Sequence, residues 1–187
     1  MTLSAVLLAG GESTRMGRDK ATLEWRGVPL WAVQIEKLRA LTSDIFVSVR
    51  SAVPWRPADV KLVIDKLPPR GPLSGVAASL VTMETDCLLV LAVDMPFITL
   101  SHLRRVCDCA KPGMGAVPVV NGKVEPLVAV YPKRSASIFA EALNGTDHSL
   151  QQVVRRLAES ELIRELPIAA ADGQFYRSIN YPADLQF

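Results

Sequence analysis

The first stretch able to do chemistry is Leu8-Ala9-Gly10-Gly11-Glu12-Ser13-Thr14-Arg15-Met16-Gly17-Arg18-Asp19-Lys20. Paired glycines allow a sharp turn that brings backbone N–H groups close to an anion. Arg15, Arg18 and Lys20 add three positive charges within six residues. A bound triphosphate needs both features, donors for its oxygens and cations against the charge that builds up in reaction. The loop is neither a Walker A motif nor G-x-G-x-x-G. Taken alone, it fits equally a plain strand-to-helix turn with solvated basic side chains. A second feature is Asp94, which follows the uniformly apolar run Cys87 to Val93. A lone carboxylate at a strand's carboxyl end suits Mg²⁺, which takes one or two carboxylates plus waters and phosphates. The alternative is a carboxylate that stabilises the Asp94-Met95-Pro96 bend.

These residues need elements to position them. Ser4 to Leu8 reads as a buried strand entering the glycine loop. Trp31 to Leu41 has near-helical apolar spacing. Asp44 to Arg50 and Val60 to Asp65 read as strands, and Cys87 to Val93 as a central strand covered on both faces. Ser74 is placed to cap a helix running to about Glu84, and Ser101 one running to about Cys109. Gly115 to Val119 and Val124 to Tyr131 read as strands joined by a turn at Asn121-Gly122. Ser135 to Leu143 and Ser149 to Glu159 read as helices, and Phe175 to Asn180 as a short final strand. Strands alternating with helices imply βαβ units and a mostly parallel sheet, within an α/β fold. Ligands of such sheets bind beyond the strands' carboxyl ends, where the loops at Ala9, Asp65 and Asp94 emerge.

With 21 Lys+Arg against 19 Asp+Glu, the formal charge is only +2. That balance argues against nucleic-acid binding by bulk electrostatics. No apolar run approaches the roughly 20 residues of a membrane span. The opening MTLSAVLLAGGES lacks a basic segment before its apolar stretch and reads as a core strand, not a signal peptide. The length suits one domain, residues 1–187, burying roughly 70% of its unfolded surface. Three cysteines, an odd number, suggest free thiols and a cytoplasmic setting.

The opening string closely resembles L-A-G-G-x-S-x-R-M-G-x-D-K, the signature of the molybdenum cofactor guanylyltransferases (MobA type), nucleotidyltransferases of Rossmann-like fold. Further similarities follow in order: Gly71-Pro72-Leu73-Ser74-Gly75, Val93-Asp94-Met95-Pro96-Phe97, Glu125-Pro126-Leu127 with Tyr131-Pro132, and Ile179-Asn180-Tyr181-Pro182-Ala183-Asp184-Leu185. The resemblance implies a three-layer fold with a mostly parallel sheet, an antiparallel portion and helices on both faces. It implies transfer of GMP from GTP to the terminal phosphate of molybdopterin, with Mg²⁺ and release of pyrophosphate. GTP and molybdopterin are then the partners, with proteins that hand over the cofactor beside them. Such a reaction needs alignment and charge neutralisation but no covalent intermediate, so the lack of a nucleophile–base pair is no objection.

By the same resemblance, Lys20, Arg15 and Asp94 are the catalytic residues, with Asp94 as metal ligand. Leu8, Ala9, Gly10, Gly11, Lys20, Ser48, Asp65 and Asp94 bind the nucleotide, Asp65 at its nucleoside part. Asn180 holds the metal or contacts the pterin. Related cytidylyl-transferring enzymes tend to carry L-A-A-G, so the glycine at position 10 favours a purine. Two departures stand out. Ser48-Val49-Arg50-Ser51 replaces the family's S/N-A-N-R, and Ser178 fills the first slot of its N-x-N. Alternatives are transfer of CMP to molybdopterin, a sugar-phosphate nucleotidyltransferase and, in another class, a regulatory nucleotide binder without turnover. Asp94, Lys20 and the glycines speak against the last.

Other features read as bland. Cys107 and Cys109 sit about 200° apart on a helix, poor for a shared metal. His148 is expected to cap the helix at Ser149, and Arg155-Arg156 to be a solvated face. Asp19 orients Lys20 or caps a turn. Trp25, Trp31 and Trp55 are too scattered along the chain for a base-stacking platform.

Overall fold

The computed structural model describes residues 1–10, 19–65, 68–180 and 184. In chain order it runs β1 (Leu3–Leu8), a 3-10 turn (Lys20–Thr22), the small hairpin β2 (Glu24–Trp25) and β3 (Val28–Pro29), α1 (Leu30–Arg39), β4 (Ile45–Val49) and β5 (Lys61–Ile64). Then come α2 (Pro72–Thr82), β6 (Cys87–Ala92), α3 (Leu100–Cys109), β7 (Gly115–Val120), β8 (Lys123–Val124) and β9 (Val128–Pro132). A 3-10 turn (Lys133–Ser135), α4 (Ala136–Asn144), α5 (Leu150–Glu159), β10 (Ile163–Pro167) and a last 3-10 segment (Ala170–Tyr176) follow.

The main sheet has the order β10-β7-β9-β6-β1-β4-β5, with β8 paired to β7. β1 lies between β6 and β4, parallel to both. β9 runs antiparallel to β6 and β7, which supplies the expected antiparallel portion. Side chains of β1 alternate between two cores. Ala5 and Leu7 join Leu30, Ile35 and Leu38 of α1 and Leu103 and Val106 of α3. Val6 and Leu8 join Leu73, Val76 and Leu80 of α2, Phe139 of α4 and Leu157 of α5. Helices thus cover both faces; β6 is buried along its whole length and β1 from Ser4 onward, as expected for parallel strands of a covered sheet.

Several boundaries differ from the sequence reading. α2 begins at Pro72 with Gly71 before it, because proline's fixed φ already suits the first helical position. Ser74 instead accepts the Arg70 N–H from inside the first turn. α3 is capped by Thr99, whose hydroxyl accepts the His102 N–H, and not by Ser101. The expected strand Val124 to Tyr131 breaks into β8 and β9 at Pro126, which has no N–H for a ladder. Asn121 and Gly122, at φ 49° and 76°, form the turn expected between β7 and β8. Phe175 to Asn180 is not a strand; the 3-10 segment reaches Tyr176. The edge strand β10 was not legible, since Arg164 and Glu165 are exposed and leave no apolar alternation. The β2–β3 hairpin was not legible either.

Fully buried Tyr131 of β9 donates its hydroxyl to the Pro126 carbonyl at 2.8 Å. This pins the irregular Glu125-Pro126-Leu127 segment against the sheet. Tyr131→Phe strands a buried carbonyl, so a loss of about 1–2 kcal/mol is expected in urea unfolding.

Candidate active site

Strand register sets the site. Leu8 pairs with Ala92 on one side and Ser48 on the other. The three strands therefore end level, and their loops leave the same sheet edge. Two backbone bonds carry the alignment past the strand ends: Val93 N–H to Leu8 O at 3.1 Å and Ala9 N–H to Ser48 O at 2.9 Å. Asp65 N–H adds Val49 O at 2.9 Å from the β5 side. The cavity at this edge is lined by Leu8, Ala9, Gly10, Lys20, Ser48, Asp65 and Asp94, with Gly75, Val93 and Leu127 among its further walls. Seven of the expected site residues thus share one cavity. Arg15 and Gly11 lie outside the described residues.

Lys20 is the hub. Its Nζ donates to Asp94 Oδ2 at 2.9 Å, to the Ile179 carbonyl at 2.9 Å and, more weakly, to Asn180 Oδ1 at 3.5 Å. Asp94 and Lys20 are each about one-fifth exposed, so the pair is screened less than a surface ion pair. The tail is strapped to the same place, with Ile179 N–H donating to Asp94 O at 2.7 Å. Ile179 is fully buried, which holds Asn180 at the rim although 86 residues separate it from Asp94 in the chain. Asn180 Nδ2 donates to Ser178 Oγ at 3.0 Å, so the residue in the altered N-x-N slot orients this amide.

Asp19 caps the turn that carries Lys20, accepting the Ala21 N–H at 3.0 Å. Its other oxygen accepts Trp55 Nε1–H at 3.1 Å. Trp55 stacks on Trp31 with centroids 5.6 Å apart and an angle of 20°. Of the three tryptophans scattered along the chain, Trp31 and Trp55 therefore meet in space beside Asp19, while Trp25 packs edge-on to Phe97.

Ser48 and Asp65 form a second pair. Ser48 Oγ–H donates to Asp65 Oδ1 at 2.6 Å, and both residues are buried. Burial raises the Asp65 carboxyl above the ordinary carboxylate range, against the opposing pull of the Ser48 hydrogen bond and the Arg50 charge. Gly75, a motif glycine with no site role expected from the sequence, also lines the cavity. A Cβ there would stand 2.3 Å from Ser48 Oγ and 2.9 Å from Leu8 Cδ2, so only glycine lets α2 approach this wall. Glu125 was likewise missed as a neighbour of the site. Burial raises its carboxyl, the Leu127 N–H lowers it, and the Asp94 charge raises it further.

Asp94 and the Asn180 amide offer hard oxygens around one point, now filled by an ammonium. Among the described residues no cluster of three or more His, Cys, Asp or Glu forms a closed metal cage. This set fits an ion that takes its remaining ligands from phosphate and water, as Mg²⁺ does. The thiols offer no rival chemistry. Burial pushes Cys87 up to about 11 and Cys107 up to about 12. His148 does not cap α5; its buried Nε2 has no partner, and Ser149 stands at the cap position. Arg155 and Arg156 pair with Glu159 and Glu141 on the surface. No helix among the described residues is long and apolar enough to cross a membrane.

Residues 5–162 match the family model of the MobA-like NTP transferase domain. A protein of Opitutus terrae named probable molybdenum cofactor guanylyltransferase is 35% identical over 97% of this chain and 92% of its own. One of the same name from Natronomonas pharaonis is 31% identical over 98% and 95%. The crystal structure of molybdopterin-guanine dinucleotide biosynthesis protein A from Archaeoglobus fulgidus superposes with a TM-score of 0.77 at 21% identity, covering 98% of this chain and 95% of that one.

The Asp65 environment has a measurable consequence. A carboxyl raised in the folded state favours folding fully below its unfolded pKa, and that contribution is lost as pH rises through the folded value. Ionised Asp65 therefore costs stability at neutral pH. Asp65→Asn keeps an oxygen to accept the Ser48 bond, so calorimetry at pH 7 should show Tm raised by about 2 °C. The difference should vanish below about pH 4, where the wild-type carboxyl is neutral.

Proposed function

The chain belongs to the MobA-like NTP transferase domain family and is a nucleotidyltransferase of molybdenum cofactor biosynthesis, and on that premise we propose that it transfers GMP from GTP to the terminal phosphate of molybdopterin. An oxygen of that phosphate attacks the α-phosphorus of GTP. The bond from the α-phosphorus to the bridging oxygen breaks, and pyrophosphate leaves with the electron pair. The observation that carries this reading is the meeting of Lys20, Asp94 and Asn180 at the mouth of the Gly10 turn.

Each residue has a part in this proposal. Lys20 supplies a compact positive charge to the triphosphate, and Arg15 a forked one. Ala9 and Gly10 let the chain run close under the phosphates, while Ser48 and Asp65 face the nucleoside. Asp94, with Asn180 beside it, would hold a divalent ion, which when bound supplies Lewis-acid neutralisation of phosphate charge; we assign it as Mg²⁺. The apolar walls at buried Leu8 and half-buried Leu127 exclude water from one side of the reacting phosphate. A cytoplasmic setting belongs to the same proposal, since free thiols suit a reducing compartment.

The choice of GTP over CTP draws support from Gly10. A Cβ at this position would stand 3.0 Å from Asp65 Oδ2 and 3.4 Å from the Arg50 amide nitrogen. An alanine there, as in the L-A-A-G of cytidylyl enzymes, presses on the carboxylate assigned to the nucleoside.

In a nucleotide panel with molybdopterin as acceptor and pyrophosphate detection, GTP should support turnover and CTP should not. Turnover with CTP alone would overturn the base assignment. Asp94→Asn should lower Mg²⁺-dependent turnover at least 100-fold with an unchanged circular dichroism spectrum, as expected when a charge-stabilising group at the reacting centre is lost. Gly10→Ala should raise KM for GTP about tenfold, checked by steady-state kinetics.

A further inference from the structure

Asp94 sits on a sharp turn after β6, and three alternate carbonyls of that turn are each gripped from outside it. Ala92 O accepts Gln34 Nε2–H of α1 at 3.2 Å, in addition to the Met95 N–H of the turn itself. Asp94 O accepts the Ile179 N–H. Pro96 O accepts Lys37 Nζ–H, also of α1, at 2.8 Å. Lys37 Nζ further donates to Gln34 Oε1 at 2.9 Å, so the two α1 side chains act as one linked unit, on one helix face by their spacing of three.

These two residues are costly choices for their positions. Gln34 has no exposed surface and lies between apolar neighbours, with Leu30, Ile35 and Leu38 of the same helix in the core. A buried amide and a half-buried ammonium cost free energy unless they are bonded. Burial pushes Lys37 down to about 8. A leucine and a methionine would cover the sheet at lower cost. What the polar pair achieves is a grip on the backbone two residues before and two residues after Asp94.

We propose that Gln34 and Lys37 are positioning residues that fix the Ala92–Pro96 turn, so that the Asp94 carboxylate is held in its working direction before any ligand arrives. This rests on the role given to Asp94 above. Preorganised charge accelerates because it need not reorient during reaction, and small misplacements cost about 100-fold in rate.

The test uses the full chain with Lys37→Met, Gln34→Leu and Asp94→Asn. Both α1 variants should lower kcat about tenfold while KM for GTP stays within about twofold. Mn²⁺ binding in the presence of GTP, read by electron paramagnetic resonance without turnover, should weaken by about the same factor. Should Lys37→Met fail to fold, Gln34→Leu alone decides, since it fills the space of the amide with an apolar group. Wild-type kcat and Mn²⁺ affinity in the folded α1 variants, whatever their Tm, beside an inactive Asp94→Asn, would overturn the positioning role alone. Wild-type turnover by Asp94→Asn would overturn the role of Asp94, and the purpose of the grip with it.

Discussion

Everything at the site depends on β1 lying between β4 and β6, parallel to both, in a register that brings Leu8 level with Ser48 and Ala92. A slip of one residue would turn Leu8 from the α2 side to the α1 side and move every side chain of β1 to the wrong core. The two apolar cores therefore lock the register. The register in turn fixes where the three loops leave the sheet. Gly10, Asp65 and Asp94 come from three separate strand ends, yet they line one cavity because the strands stop at one level.

The site holds two carboxylates in contrasting surroundings. Asp94 is partly exposed and paired to an ammonium. Asp65 is buried and bonded to a neutral hydroxyl, so its charge is disfavoured. Lys20 links the first of these to the chain's tail. The ammonium joins the glycine loop, the β6 turn and the Ile179-Asn180 segment at one point, so three distant parts of the chain report to one cation.

Much of this was legible in the residues. β6 is a continuous apolar run leading to aspartate, and β1, apolar but for Ser4, leads to glycine, which is the pattern of covered parallel strands. Asp94 and Lys20 stood out by their places after a strand and after a glycine turn. The motif resemblance joined them to Asp65 and Asn180. What could not be read were elements without a local pattern. β10 alternates poorly because it is an edge strand with exposed charges. Ser74 and Ser101 looked like caps by type, but the preceding Pro72 and Thr99 occupied the places that mattered. The Trp31–Trp55 stack has no local signal either, because a spacing of 24 residues carries no information about stacking.

The sequence by itself determined the alternation of strands and helices, the glycines and cations of the opening turn, and the carboxylate at the tip of β6, because these are set by residue type and short-range spacing. Only the tertiary structure decided that Asn180 stands beside Lys20, that Gln34 and Lys37 grip the turn bearing Asp94, and that Gly75 must be small. The physical reason is distance along the chain. Each of these contacts joins segments far apart in sequence, and a hydrogen bond or a steric limit between such segments exists only once the register of the sheet has brought them together.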